Sequence, residues 1–166
     1  MATWQFDFHL LPAVAVASMY GAVPLRISRS DFDSRSWWDG TTTPTSIEAD
    51  IANLLPLLES WSKDLHRWGQ DDGNRVDVMW QSGSVASIMV RVDVRRYSTV
   101  FLIGLLNIAR KNGWVLRTFD GSVLRPSLTA LAEVIRQSKA FRFVDDPHAF
   151  LTALADAARG ETNNPT

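Results

Sequence analysis

Arg75-Val76-Asp77-Val78-Met79-Trp80, then Gln81-Ser82-Gly83-Ser84, then Ile88-Met89-Val90-Arg91-Val92-Asp93-Val94-Arg95: these residues set the fold class. Val76, Val78 and Trp80 alternate with Arg75, Asp77 and Met79, and Ile88, Val90, Val92 and Val94 alternate with Met89, Arg91, Asp93 and Arg95. Successive side chains on an extended chain point to opposite faces, so each run reads as a strand with one aliphatic and one charged face. The turn containing Gly83 joins them into a long antiparallel hairpin. Arg75 and Asp77 are expected to pair across the strands with Arg91 and Asp93.

Working outward, Trp4, Phe6, Phe8 and Leu10 alternate with Gln5, Asp7 and His9, which predicts a half-buried strand with its aromatic face inward. After the hairpin, Ser98 or Thr99 opens a helix through Phe101, Leu105 and Ile108, with Arg110 and Lys111 at its negative end and Gly113 as its stop. Trp114 to Phe119 reads as a strand, and Asp120-Gly121 turns into a short strand at Val123-Leu124. Ser127 caps a helix bearing Leu128, Leu131 and Ile135. Asp146, with Pro147 next, is expected to cap a last helix that turns Phe150, Leu151 and Leu154 inward, before a flexible tail at 160–166.

Upstream, residues 21–45 read as a long ordered loop. Thr45 and Glu48 have capping-box spacing ahead of Ile47, Ile51, Leu54, Leu55 and Leu58, and Pro56 must kink or end that helix. A short edge strand near 65–69 leads to a turn at Asp72-Gly73. This order predicts an α+β class: an antiparallel sheet with a split β-α-β-like centre, helices packed on one face, and a long ordered loop near the N-terminus. Residues 1–159 are expected to form a single domain, with the second sheet face polar or covered by the 11–45 loop.

The 166 residues are 46% hydrophobic and 21% charged, ordinary values for a globular chain that exclude fibrous and disordered classes. There is no cysteine, which excludes disulfide scaffolds, thiolate chemistry and cysteine-built metal sites. A net charge of −1 argues against direct nucleic-acid binding, which needs a strongly basic face. Residues 10–25 are free of charge but are broken by Pro12, Gly21 and Pro24, and are shorter than the roughly 20 apolar residues a spanning helix requires. The segment before them lacks Lys and Arg and carries Asp7 and His9, the wrong flank for a secretory signal, so the expectation is a cytoplasmic protein without membrane association. Residues 1–80 hold 11 acids and 6 bases, and residues 81–166 hold 7 acids and 11 bases, an asymmetry suited to a charged partner.

Phosphate loops, dinucleotide fingerprints, nucleophile elbows and helical zinc pairs are absent from the sequence. Strand parity places Asp7, His9, Asp77 and Asp93 on one sheet surface with Arg75 and Arg91. Such a group could work on a phosphodiester with a divalent metal, though charged side chains also line the wet face of most antiparallel sheets. The second lead is the mixture of acids and large aromatics at Asp31, Asp33, Trp37, Trp38 and Asp39, and again at Asp71 and Asp72 beside Trp68. Rigid rings flanked by charge are what protein interfaces use, so these seven acids and tryptophans are the expected partner-binding residues. The competing view folds both Trp37 and Trp38 into the core.

Trp37-Trp38 before a Pro-led helix, Ser60-Trp61 through Trp68-Gly69, Asp72-Gly73-Asn74, Val90-Arg91-Val92-Asp93-Val94-Arg95 and Phe143-Val144-Asp145-Asp146-Pro147 together resemble small bacterial proteins of the immunity type, which protect against polymorphic or contact-dependent toxins. The resemblance spans nearly the whole chain, and no functional residue is carried over from it. It implies a cytoplasmic, non-enzymatic inhibitor, free of cofactor and metal, that occludes the basic cleft of a cognate toxin. The alternatives are a metal-assisted hydrolase or nuclease built on Asp7, His9, Asp77 and Asp93, and a subunit that self-associates as a homodimer.

Overall fold

The computed structural model describes residues 2–42 and 44–148. The strands are β1 (Gln5–Pro12), β2 (Leu57–Leu58), β3 (Leu65–Gly69), β4 (Arg75–Gln81), β5 (Ser84–Asp93), β6 (Trp114–Thr118) and β7 (Val123–Leu124). The helices are α1 (Ala13–Tyr20), α2 (Arg29–Asp33), α3 (Ile47–Ala52), α4 (Thr99–Lys111), α5 (Leu128–Gln137) and α6 (Lys139–Asp145).

The hairpin forms as β4 and β5, and its turn places Ser82 and Gly83 at φ 51° and 78°. Two positive φ angles in a two-residue turn match the twist of the strands it joins. All seven strands make one antiparallel sheet in the order β2-β3-β4-β5-β1-β6-β7. β1 runs antiparallel to both β5 and β6, so those two are parallel to each other, and α4 carries the chain from one to the other past β1. That is the split β-α-β centre, and the class is α+β.

α4 begins where Ser98 Oγ accepts a hydrogen bond from the Phe101 N–H at 3.3 Å, and it ends before Gly113 at φ 67°. Its Leu102, Leu105 and Leu106 join Phe8, Leu10, Val78, Val90 and Leu116 from the sheet and Leu131 and Ile135 from α5 in one apolar core. A Cβ at Gly104 would stand 2.4 Å from Leu54 Cδ2, so glycine lets α4 close onto the segment after α3. Lys111 and Asp50 pair across the same junction at 2.9 Å, and that pairing holds the Asp50 carboxyl below its usual range.

Several expectations change. β1 is buried on both faces rather than half-buried, because it lies at the middle of the sheet and because the 11–45 segment covers part of the second face. That segment contains α1, in the Ala- and Val-rich stretch before Gly21, and α2, which the Gly, Pro and Ser content of 21–45 concealed. β3 forms over Leu65–Gly69 but is not the edge, since β2 pairs outside it. The box between Thr45 and Glu48 does not form: Ser46 precedes α3 without a capping bond, and the Glu48 carboxylate goes to His66 instead. Asp146 closes α6, which Ser138 caps through the Phe141 N–H at 3.1 Å, and Pro147 and His148 directly after it are helical, as expected of a helix beginning there. Phe150, Leu151, Leu154 and residues 160–166 lie outside the described residues. No helix among the described residues is long and apolar enough to cross a membrane.

Candidate partner-binding surface

Asp7, His9, Asp77 and Asp93 do share one face of the sheet, as strand parity requires. The register differs from the expected pairing, however: Arg75 stands opposite Arg91 and Asp77 opposite Met89. Two arginines facing each other would repel, and each turns to a different acid. Arg91 makes a two-pronged bond to Asp7, with Nε at 2.9 Å from Oδ1 and Nη2 at 3.0 Å from Oδ2. Asp7 holds the Arg91 guanidinium above its usual range, mainly through those hydrogen bonds. Arg75 turns to its own-strand neighbour Asp77 at 2.9 Å, and Arg67 approaches the same carboxylate at 3.5 Å. Asp93 binds Arg95 through both oxygens at 2.9 Å and caps the backbone N–H of the same residue.

Each proposed catalytic carboxylate therefore has an arginine as its partner. A carboxylate locked to a guanidinium is a poor metal ligand and a poor base, because both roles need its lone pairs. Among the described residues, no group of three or more His, Asp or Glu side chains is placed to hold a metal ion. His9 is close enough to Asp7 and Asp33 to feel both charges, but its buried Nδ1 has no hydrogen-bond partner among the described residues. It lies between the rings of Phe32 (4.7 Å) and Phe119 (5.5 Å). Burial, aided by the neighbouring Arg117 charge, lowers its pKa from 6.5 to about 4, so it is neutral at physiological pH. Arg117 stacks on Phe32 at 4.2 Å and donates to the Ile27 carbonyl at 3.3 Å.

The expected acid–aromatic surface divides. Trp37 and Trp38 are only 5% and 3% exposed, so neither can serve as an anchor for a partner. Trp37 stacks near Phe32 and donates its indole N–H to the Phe32 carbonyl at 3.0 Å, while Trp38 packs edge-on against Trp114 at 5.2 Å. Their large apolar area and the cover needed over the far end of the sheet draw them inward. Asp31 and Asp33 belong to α2, where Asp33 pairs with Arg29 at 3.3 Å, and Asp39 is exposed in the turn beyond the tryptophans. Asp71 and Asp72 lie at the opposite end of β1: the Asp71 carbonyl accepts from Gln5, whereas the α2 ring Phe32 packs at a tilt against His9. Four residues of extended strand separate those points by about 13 Å.

Around Asp71 and Asp72 the chain builds a second surface, anchored by the arginines of the charged face. Arg67 binds the Asp71 carboxylate and, at 3.3 Å, the Glu59 carbonyl, so the β2 segment and the Asp71–Asp72 turn share one rim. Arg67 holds the Asp71 carboxyl below its usual range through that hydrogen bond. Arg75 reaches Asp71 at 3.3 Å, and Arg95 bonds the Asp72 carbonyl at 2.8 Å. The rim also presents Leu57, 74% exposed, and two residues beyond Glu59 comes Trp61, 81% exposed. The Trp61 turn is tied by serine hydroxyls, Ser60 Oγ accepting from the Ser62 N–H and Ser62 Oγ from the Asp64 N–H, both at 3.3 Å. The helical spacing of Leu58, Trp61, Leu65 and Trp68 competes with the edge strand expected near 65–69, so periodicity alone does not mark Trp61 as exposed. The usable signal was its setting between serines and next to Lys63 and Asp64, a context that offers a ring no apolar neighbours. The chain matches no family model, and no curated protein or solved structure is significantly similar to it.

Proposed function

We propose that this chain is a protein-binding module of the immunity type, a cytoplasmic inhibitor that neutralises a bacterial toxin by occluding its active cleft. The observation that carries the reading is Trp61: a tryptophan 81% exposed, on a turn fixed by its own hydroxyls, beside a rim whose acids are held in place by arginines. Tryptophan supplies the most contact area for the fewest rotatable bonds, and pre-positioned acids lower the ordering cost of docking onto a basic cleft. The acids steer the approach, and the ring and Leu57 exclude water at the centre of the contact. The interface thus sits around Leu57, Trp61, Asp71 and Asp72, not at Trp37 and Trp38. The resemblance to immunity proteins supports the same reading from the sequence side.

The test is affinity capture with the tagged chain from the native lysate, followed by inhibition assays on the protein captured. One dominant enzyme, retained at high salt by the wild type and lost by Trp61→Ala with an unchanged melting temperature, is the expected result. Capture and inhibition that survive both Trp61→Ala and the double change Asp71→Asn, Asp72→Asn would remove this surface from the mechanism.

A further inference from the structure

A cleft of about 520 Å³ opens at the Gln5 end of β1, and none of Leu57, Trp61, Asp71 and Asp72 lines it. It exists because β6 pairs with β1 only from Phe8 onward, leaving Gln5–Asp7 with β5 on one flank and a gap on the other. The turn after β6 and the junction of α5 with α6 wall that gap. Its apolar lining includes Phe6, Phe119 and Val134, and Phe119 is 49% exposed, which is unusual for a ring that also stacks on His9.

The charges in the cleft do not cancel. Asp7 is neutralised by Arg91, and Asp120 is occupied by hydrogen bonds from Thr118, from the Ser122 hydroxyl at 3.1 Å and from the Ser122 N–H at 3.3 Å. Lys139 and Arg142 lie three residues apart on α6, line the cleft, and make no ion pair among the described residues. What remains for an occupant is an apolar wall, two cations that make no ion pair among the described residues, and the Asp120 carboxylate, whose hydrogen-bonding sites are engaged but whose single charge leaves the cleft lining net positive. Clefts of this size, apolar with a few convergent polar groups, suit small ligands.

We propose that the cleft binds a small amphipathic carboxylate, its apolar part against Phe6, Phe119 and Val134 and its anionic head at Lys139 and Arg142. The inference is independent of toxin inhibition and uses none of the residues assigned to it. The experiment is an amide NMR titration of the full chain with octanoate, with octylammonium as the matched cation. The expected result is saturable shifts at Phe119, Val134 and Lys139 with octanoate and not with octylammonium. In the double variant Lys139→Glu, Arg142→Glu, octanoate affinity should fall at least about tenfold while the remaining spectrum stays superimposable. Equal binding of the two probes, or an unchanged affinity in the double variant, would overturn the carboxylate assignment. Absence of saturable shifts at these residues up to about 10 mM octanoate would overturn the site itself. Should the double variant misfold, Val134→Trp, which fills the cleft from a partly exposed position, makes the same test.

Discussion

One face of the central sheet is closed by carbon and the other by charge. On the first, Phe8, Leu10, Val90 and Val92 meet the leucines of α4. On the second, Asp7, Asp77, Asp93, Arg75 and Arg117 are each less than a tenth exposed, and all but Arg117 are joined in ion pairs. Apolar contacts are non-directional and tolerate small shifts of their neighbours, whereas a buried ion pair is stable only while both members hold their geometry. The charged face therefore contributes register and rigidity more than net stability. That rigidity is what fixes the Asp71–Asp72 rim beside Trp61, since Arg67, Arg75 and Arg95 reach from the face to the rim.

The contrast can be broken from either side. Phe8→Ala, on the apolar face, should cost about 4 kcal/mol through lost burial and the cavity left behind, read as a fall in the urea midpoint. Asp7→Ala, on the charged face, should cost about 3 kcal/mol by stranding Arg91, but Asp7→Ala combined with Arg91→Met should recover most of that loss. A double variant as unstable as the single one would show that the pair is not the source of the effect. For Phe8, by contrast, no change at a facing residue on the sheet should restore stability so simply.

His9 sharpens the comparison through pH. Its folded pKa of about 4 lies below the ordinary 6.5, so between those values the unfolded chain takes up a proton that the native chain refuses. Stability attributable to His9 is therefore complete above about pH 6.5 and is lost as pH falls toward 4, amounting to about 2.5 kcal/mol by pH 4.5. His9→Gln should show a correspondingly smaller loss of stability between pH 7 and pH 4.5, measured by urea titration at both. An identical loss in wild type and variant would mean that His9 charges freely in the folded state.

The smallest effect on stability belongs to the rim. Trp61→Ala should change the unfolding free energy by no more than about 0.5 kcal/mol, because the ring has little burial to lose, whereas Trp38→Ala should cost about 3 kcal/mol. Calorimetry of the two variants separates them. A large destabilisation by Trp61→Ala would mean that the ring is a structural element and not a free surface.

The two-residue periodicity of 75–95 and of Trp4–Leu10, the capping serines at 98 and 127, and the glycine stops were enough to place the hairpin, β1, α4, β6, β7 and α5, because each is a local preference that tertiary contacts reinforced. The same periodicity put Asp7, His9, Asp77 and Asp93 on one surface, since side-chain alternation is a property of the strand itself. Which acid meets which arginine depended on register, and a shift between Met79 and Trp80 with Arg91 turned toward β1 could be read only in three dimensions. The fate of the tryptophans was likewise tertiary. Trp37 and Trp38 had core to enter and went inward, while Trp61, in a turn at the sheet's margin, had none, because burial is a property of the space around a residue and not of its neighbours in the chain.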